Sequence, residues 1–135
     1  MRARDALGRP VPAGSPDAVE PVPEQALPPV EALTLARELI AQGRPFFAHE
    51  VLEARWKAAP EHERPLWQGL AQLCVGLTHL QRGNRVGAAR LLRRGAGLLT
   101  GQPAAYDVDA PRVAADALRL AAEVEGGGGV PALRL

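Results

Sequence analysis

Apolar positions recur every three or four residues in five blocks of the chain, and glycine or proline stands between the blocks. In residues 29–42, Leu33, Ala36, Leu39 and Ile40 fall on one face, the spacing at which helical side chains meet. Gly43, Arg44 and Pro45 break the pattern, and proline is well tolerated in the first turn of the helix that follows. Residues 46–59 contain no internal glycine or proline and are dominated by helix formers. Their stripe is Phe46, His49, Leu52 with Glu53, and Trp56, while Arg55 and Lys57 point elsewhere. Pro60 ends the block. Residues 63–82 carry Leu66, Leu70, Leu73, Leu77 and Leu80 at helical spacing, and Gly83-Asn84 is a tight break. Residues 85–99 turn Ala88, Leu91, Leu92, Gly95 and Leu98 or Leu99 inward, and Gly101 and Pro103 follow. Residues 111–125 place Val113, Ala117, Leu120, Ala121 and Val124 on one side. No window alternates as strands with hairpin turns do. Short breaks between helices imply antiparallel neighbours. The expectation is therefore all-α: a compact bundle of about five antiparallel helices. The third and fourth helices, with Ala88, Leu92 and Ala96, resemble a tetratricopeptide-like helical hairpin. Arrays of that kind need three or more repeats, so the hairpin is read as a packing solution.

The ends differ in composition. Residues 1–28 are rich in Pro, Ala and Gly, and the prolines interrupt any helix or strand, so a disordered tail is expected there. Residues 126–135 open with four glycines and are expected to be flexible. Residues 29–125 form the helical domain, one unit in a chain of 135 residues. A net charge of +1 gives a field that favours neither nucleic acid nor a membrane surface. No apolar run approaches the ~20 residues of a membrane span. Arg2, Arg4 and Arg9 are not followed by an apolar signal-peptide core. The single cysteine, Cys74, excludes an internal disulfide framework and fits a reducing cytoplasm. In the middle of an apolar helix it is expected to be an inert buried thiol.

The chemistry concentrates on the second helix. His49 and Glu53 lie one turn apart, and an imidazole and a carboxylate at that spacing can hold one divalent ion together. Two ligands are too few. The third helix offers Gln68, Gln72 and His79 on one face. Antiparallel packing about the turn near Glu61 and His62 sets Gln72 beside His49 and Glu50, and sets Gly69, which leaves room, beside Glu53. His79 falls on the order of 9 Å further along, so His49, Glu53 and Gln72 are the easier ligand set. Glutamine is a poor zinc ligand, which points to weak affinity or an oxygen-preferring ion. The same residues also serve without a ligand: His49 and Glu53 pair, and Gln68 or Gln72 completes a polar network between two helices. Glu50 beside His49 does not make a zinc-protease HExxH motif, because position 53 is Glu. Phe46, Phe47, Trp56 and Trp67 are read as core.

His49, Glu53 and Trp56 together spell His-x-x-x-Glu-x-x-Trp. With Phe46 before it and WQGLAQLCVGLTHLQRGN at residues 67–84 after it, the chain resembles the prokaryotic domain-of-unknown-function 309 family over residues 45–99. The resemblance implies a small all-helical fold and a metal-binding role for the His and Glu. It brings no established activity. One departure is Trp67, where the family pattern would have Phe or Tyr.

A basic run, Arg82, Arg85, Arg90, Arg93 and Arg94, has no acidic residue within it. Arg82 and Arg85 flank a helix start, a position that favours anions, and the others fall near one side of the fourth helix. Phosphate or an RNA backbone would suit such a run, although no aromatic residues interleave for base stacking. A solvated face is the competing reading. Two functions follow. One is a non-catalytic binding or interaction module, with a protein partner or a second copy of the chain, in which His49–Glu53 is structural. The other is a metal-dependent, hydrolase-like enzyme that uses the same pair as ligands or as base and orienter, with a divalent ion as cofactor.

Overall fold

The computed structural model describes residues 3–129 and 132–135. Five helices account for most of these residues: α1 (Pro29–Ala41), α2 (Pro45–Ala58), α3 (Arg64–Gln81), α4 (Arg85–Leu99) and α5 (Ala110–Glu125). A 3-10 turn, Glu61–Glu63, leads into α3. The fold is the all-α bundle that the apolar spacing predicts, and each helix packs on its neighbour in sequence.

Glycine and proline set the path. Proline occupies the first turn of α1, α2, α3 and α5, where the missing N–H has no helical partner to lose. Gly43 and Gly83 have φ of +74° and +81°, a left-handed conformation that glycine adopts without strain. After each, the next N–H reaches back to a helix carbonyl: Arg44 to Leu39 and Asn84 to His79, both at 2.8 Å. These are helix-ending motifs that satisfy otherwise orphaned carbonyls. They fold α1 onto α2, and α3 onto α4 as the expected helical hairpin. The Asn84 side chain then caps α4 by accepting from the Gly87 N–H at 2.9 Å.

The core is made largely of leucine and alanine around two aromatic side chains, Trp67 and Phe47. Leu33, Leu52, Leu70, Leu73, Leu92, Leu99 and Trp67 are buried; each such leucine contributes about 1.5–3 kcal/mol of burial. Helices α3 and α4 come closest together. A Cβ on Gly69 would meet Leu99 Cγ at 2.9 Å and the Gly95 carbonyl at 3.1 Å, and one on Gly95 would meet the Gly69 carbonyl at 2.8 Å. Gly69 therefore faces α4; the expectation that it leaves room at Glu53 was in error by a rotation about the α3 axis.

The terminal segments also differ from expectation. Residues 3–28, expected to be disordered, contain an antiparallel ribbon of β1 (Ala3–Arg4) and β2 (Pro10–Val11). Val19, Val22 and Leu27 pack against the core. Arginines on α2 and at the ends of α2 and α3 hold this segment by its carbonyls: Arg44 to Glu20, Arg55 to Leu27 and Arg82 to Leu7. At the other end, where flexibility was expected, Leu133 and Leu135 are buried. No helix among the described residues is long and apolar enough to cross a membrane.

Candidate functional site

Helix α2 buries Phe47, Ala48, Val51 and Leu52. The stripe beside that face is half-buried, and it carries Phe46, His49, Glu53 and Trp56. His49 Nε2 and Glu53 Oε2 lie 2.6 Å apart, a charge-assisted contact when the imidazole is protonated. The second carboxylate oxygen, Oε1, takes the Lys57 ammonium at 3.1 Å. Partial burial pushes the Glu53 carboxyl up, but hydrogen bonds from Lys57 and His49 and the charge on both outweigh it, so the group lies below its ordinary value. The Phe46 ring sits 5.8 Å from the His49 ring. Trp56 rests partly buried against the core.

The glutamines do not complete this pair. Gln68 and Gln72 are half-buried on α3, and among the described residues neither is hydrogen-bonded to His49 or Glu53. Gln72 Oε1 is buried and has no hydrogen-bond partner among the described residues. Glu50 is half-buried next to His49 and makes no ion pair among the described residues. His79 accepts or donates at Nδ1 with the Asn84 amide at 3.2 Å, which ties it to the α3–α4 turn, away from the pair. No group of three His, Cys, Asp or Glu side chains comes together among the described residues. For a divalent ion the donor set falls short, and it also has a cation in the way. Both Glu53 oxygens are engaged, one of them by an ammonium that a dication would have to displace.

The basic run disperses. Arg82 donates to the Leu7 carbonyl at 2.6 Å and sits 5.7 Å from the Phe46 ring centre. Arg85 donates to the carbonyls of Val124 and Gly128, at the end of α5. Arg93 pairs with Glu125. Arg90 and Arg94 are exposed. Three of the five therefore serve internal contacts, and the run forms no common anion cradle.

Two features escaped the sequence reading. Glu63 accepts from the Trp67 indole at 3.1 Å and from the Tyr106 hydroxyl at 2.9 Å, and the two rings lie 5.8 Å apart. This cluster pins the α4–α5 loop, where Tyr106 and Asp107 take left-handed φ of 53° and 65°, to the start of α3. The indole N–H thereby gives position 67 a use that a phenylalanine would not supply. Trp at position 67 with Glu four residues earlier was the available signal. The second feature is a cleft of about 880 Å³, within the size range of small-molecule and peptide pockets. Ile40 and Ala41 of α1, Pro45 of α2, and Leu77 and Leu80 of α3 line one wall; residues 132–135 line the other; Arg37, Arg85 and Arg134 are also in the lining. No carboxylate, imidazole, thiol or hydroxyl is among the lining side chains. The helical leucines were read as apolar positions, but nothing in a lone Leu-Arg-Leu after a glycine run announces its docking place.

Comparison with known proteins gives a matching picture. The chain is similar to the uncharacterized protein YpuF of Bacillus subtilis (strain 168), with 46% identity over 48 residues, 35% of this chain and 28% of the relative. The matched segment thus spans under a third of that protein's length. No solved structure gives a significant match. The family model for the Domain of unknown function (DUF309) matches residues 33–91, from the inner face of α1 to the middle of α4, and over this segment the chain is similar to that family.

Proposed function

We propose that the chain is a non-catalytic binding module whose working surface is the apolar cleft beside α1 and α3, and that His49–Glu53–Lys57 is a structural polar stripe. One observation carries this reading: the cleft is lined by aliphatic side chains, guanidinium groups and the Gln81 amide, with no carboxylate, imidazole, thiol or hydroxyl side chain to act as base, nucleophile or metal ligand. The His–Glu pair, the centre of the enzyme alternative, does not line that cleft and lacks a third ligand among the described residues. A single buried thiol suits a reducing cytoplasm as the place of action.

An apolar anionic dye tests the surface. It is expected to bind with one-to-one stoichiometry and to be lost on Leu80→Ser in a chain that keeps its helical circular dichroism. Unchanged dye binding by that variant would move the working surface elsewhere. Metal analysis of tag-free protein tests the pair. Stoichiometric zinc, manganese or iron that disappears on His49→Ala, with the fold intact, would return the enzyme reading to first place.

A further inference from the structure

The geometry points to an extended peptide with leucines at alternate positions and an acidic residue between them as the partner of the cleft, and to residues 132–135 as a tethered stand-in for it. This rests on the binding reading above and names its ligand. The stand-in is visible on the molecule. Leu133 and Leu135 are buried in a stretch without helix or strand. Its backbone is held by guanidinium groups from two different helices: Arg37 donates to the Leu135 oxygen at 3.2 Å, and Arg112 donates to the oxygens of Arg134 and Leu135 at 3.3 and 3.4 Å. Alternate side chains entering apolar pockets while the main chain is hydrogen-bonded is a general mode of peptide recognition.

The middle side chain of the stand-in is poorly matched in charge. This residue, Arg134, shares the cleft lining with Arg37 and Arg85, and no acidic side chain lines the cleft. Like charges gathered beside the groove repel, with solvent screening where Arg85 and Arg134 are exposed. A partner that presents Leu-Glu-Leu keeps both apolar contacts and replaces that repulsion with attraction. The glycine run at 126–129 ties the segment to α5, whose last carbonyls accept from the N–H groups of Gly126, Gly127 and Gly128. It presents the internal segment at an effective concentration on the order of mM, so a partner in trans binds by displacing it.

The test uses the full chain with methyl and amide labels and two capped peptides, Ala-Leu-Glu-Leu and Ala-Leu-Arg-Leu, followed by NMR. The acidic peptide is expected to shift Leu77, Leu80, Leu133 and Leu135 together, saturating in the range of about 1–10 mM set by the tether. The basic peptide should need about tenfold more, and salt near ~1 M should erase the difference. Arg37→Glu should reverse the preference. Leu133→Ser with Leu135→Ser, checked for helicity, should tighten the acidic peptide about tenfold or more by freeing the cleft. Absence of shifts at Leu77 and Leu80 with either peptide on the wild-type chain overturns the proposal whether or not that double variant folds; dye binding in the same sample would leave the broader binding reading standing. Equal affinity for the two peptides removes the acidic partner. A wild-type dimer that this double variant abolishes would assign the cleft to the tail of a second copy instead.

Discussion

At the scale of single residues, burial and pairing decide what each group can do. Cys74 is fully buried, which pushes its thiol up to about 12, so the nucleophilic thiolate is scarce at neutral pH. The native chain should leave a thiol reagent unreacted at pH 8 and react fully once unfolded in guanidinium; rapid native labelling would mean that α3 opens readily. Glu53 behaves in the opposite sense. Its carboxyl is held below the ordinary value of 4.5, so the folded state favours the charged form. That contribution is present above the ordinary value and is lost as pH falls through the lowered one. The side chain is 36% exposed, which screens the pair to the about 0.2–1 kcal/mol of a surface ion pair. Melting temperatures of wild type and Glu53→Gln should differ slightly at pH 7 and converge in acid; a gap that widens in acid would reverse the sign argued here. Spacing alone made the His49–Glu53 pairing legible, because one helical turn fixes it. That Gln72 stays out of the pair was not legible, since it depends on how α3 is rotated about its own axis. The arginines show the same limit more sharply. Arg82 and Arg85 spend their donors on backbone carbonyls, and every residue has a carbonyl, so nothing in the sequence singles out the acceptor.

At the scale of helices, punctuation carried most of the information. Pro45, Gly43 and Gly83 stand where the structure starts α2 and closes α1 and α3, because a missing N–H and a positive φ are local requirements. Which small residues face a neighbour is not local, and Gly95 and Gly97 show the contrast within α4. A methyl on Gly95 would meet Leu73 Cδ2 at 2.6 Å and the Gly69 carbonyl at 2.8 Å, whereas one on Gly97 meets nothing within 4 Å. Alanine gains about 1 kcal/mol over glycine in a helix. At position 97 that gain stands alone. At position 95 it is opposed by overpacking against a backbone oxygen that cannot rotate away, a cost of about 1–3 kcal/mol. Urea unfolding should therefore show Gly97→Ala to be more stable than wild type by up to ~1 kcal/mol and Gly95→Ala to be less stable. Equal stabilisation by both would mean that α3 and α4 are not in close contact.

At the scale of the whole molecule, the question is how the terminal segments relate to the helices. Composition argued for free ends, because prolines deny residues 3–28 a regular hydrogen-bond ladder. The structure supplies substitutes: short backbone bonds such as Val19 N–H to the Arg4 carbonyl at 2.9 Å, the arginine contacts from α2 and α3, and the face of Phe46. Arg4 lies 5.0 Å from that ring's centre, and Gly8, at φ +81°, presses its backbone so close to the same ring that a Cβ would overlap it. Gly8→Ala therefore imposes both a strained backbone and a clash, and the cheaper response is for the ribbon to lift away while the bundle stays. Helix α3, with α2 and α4 packed on it, does not depend on that contact. Hydrogen exchange should show Val19 protection falling toward random-coil rates in Gly8→Ala, while amides such as those of Leu70 and Leu73 still exchange only through global unfolding. Loss of protection across α3 as well would make the ribbon part of the cooperative fold. Unchanged protection at Val19 would mean that the segment is held without its glycine, by the arginine contacts alone.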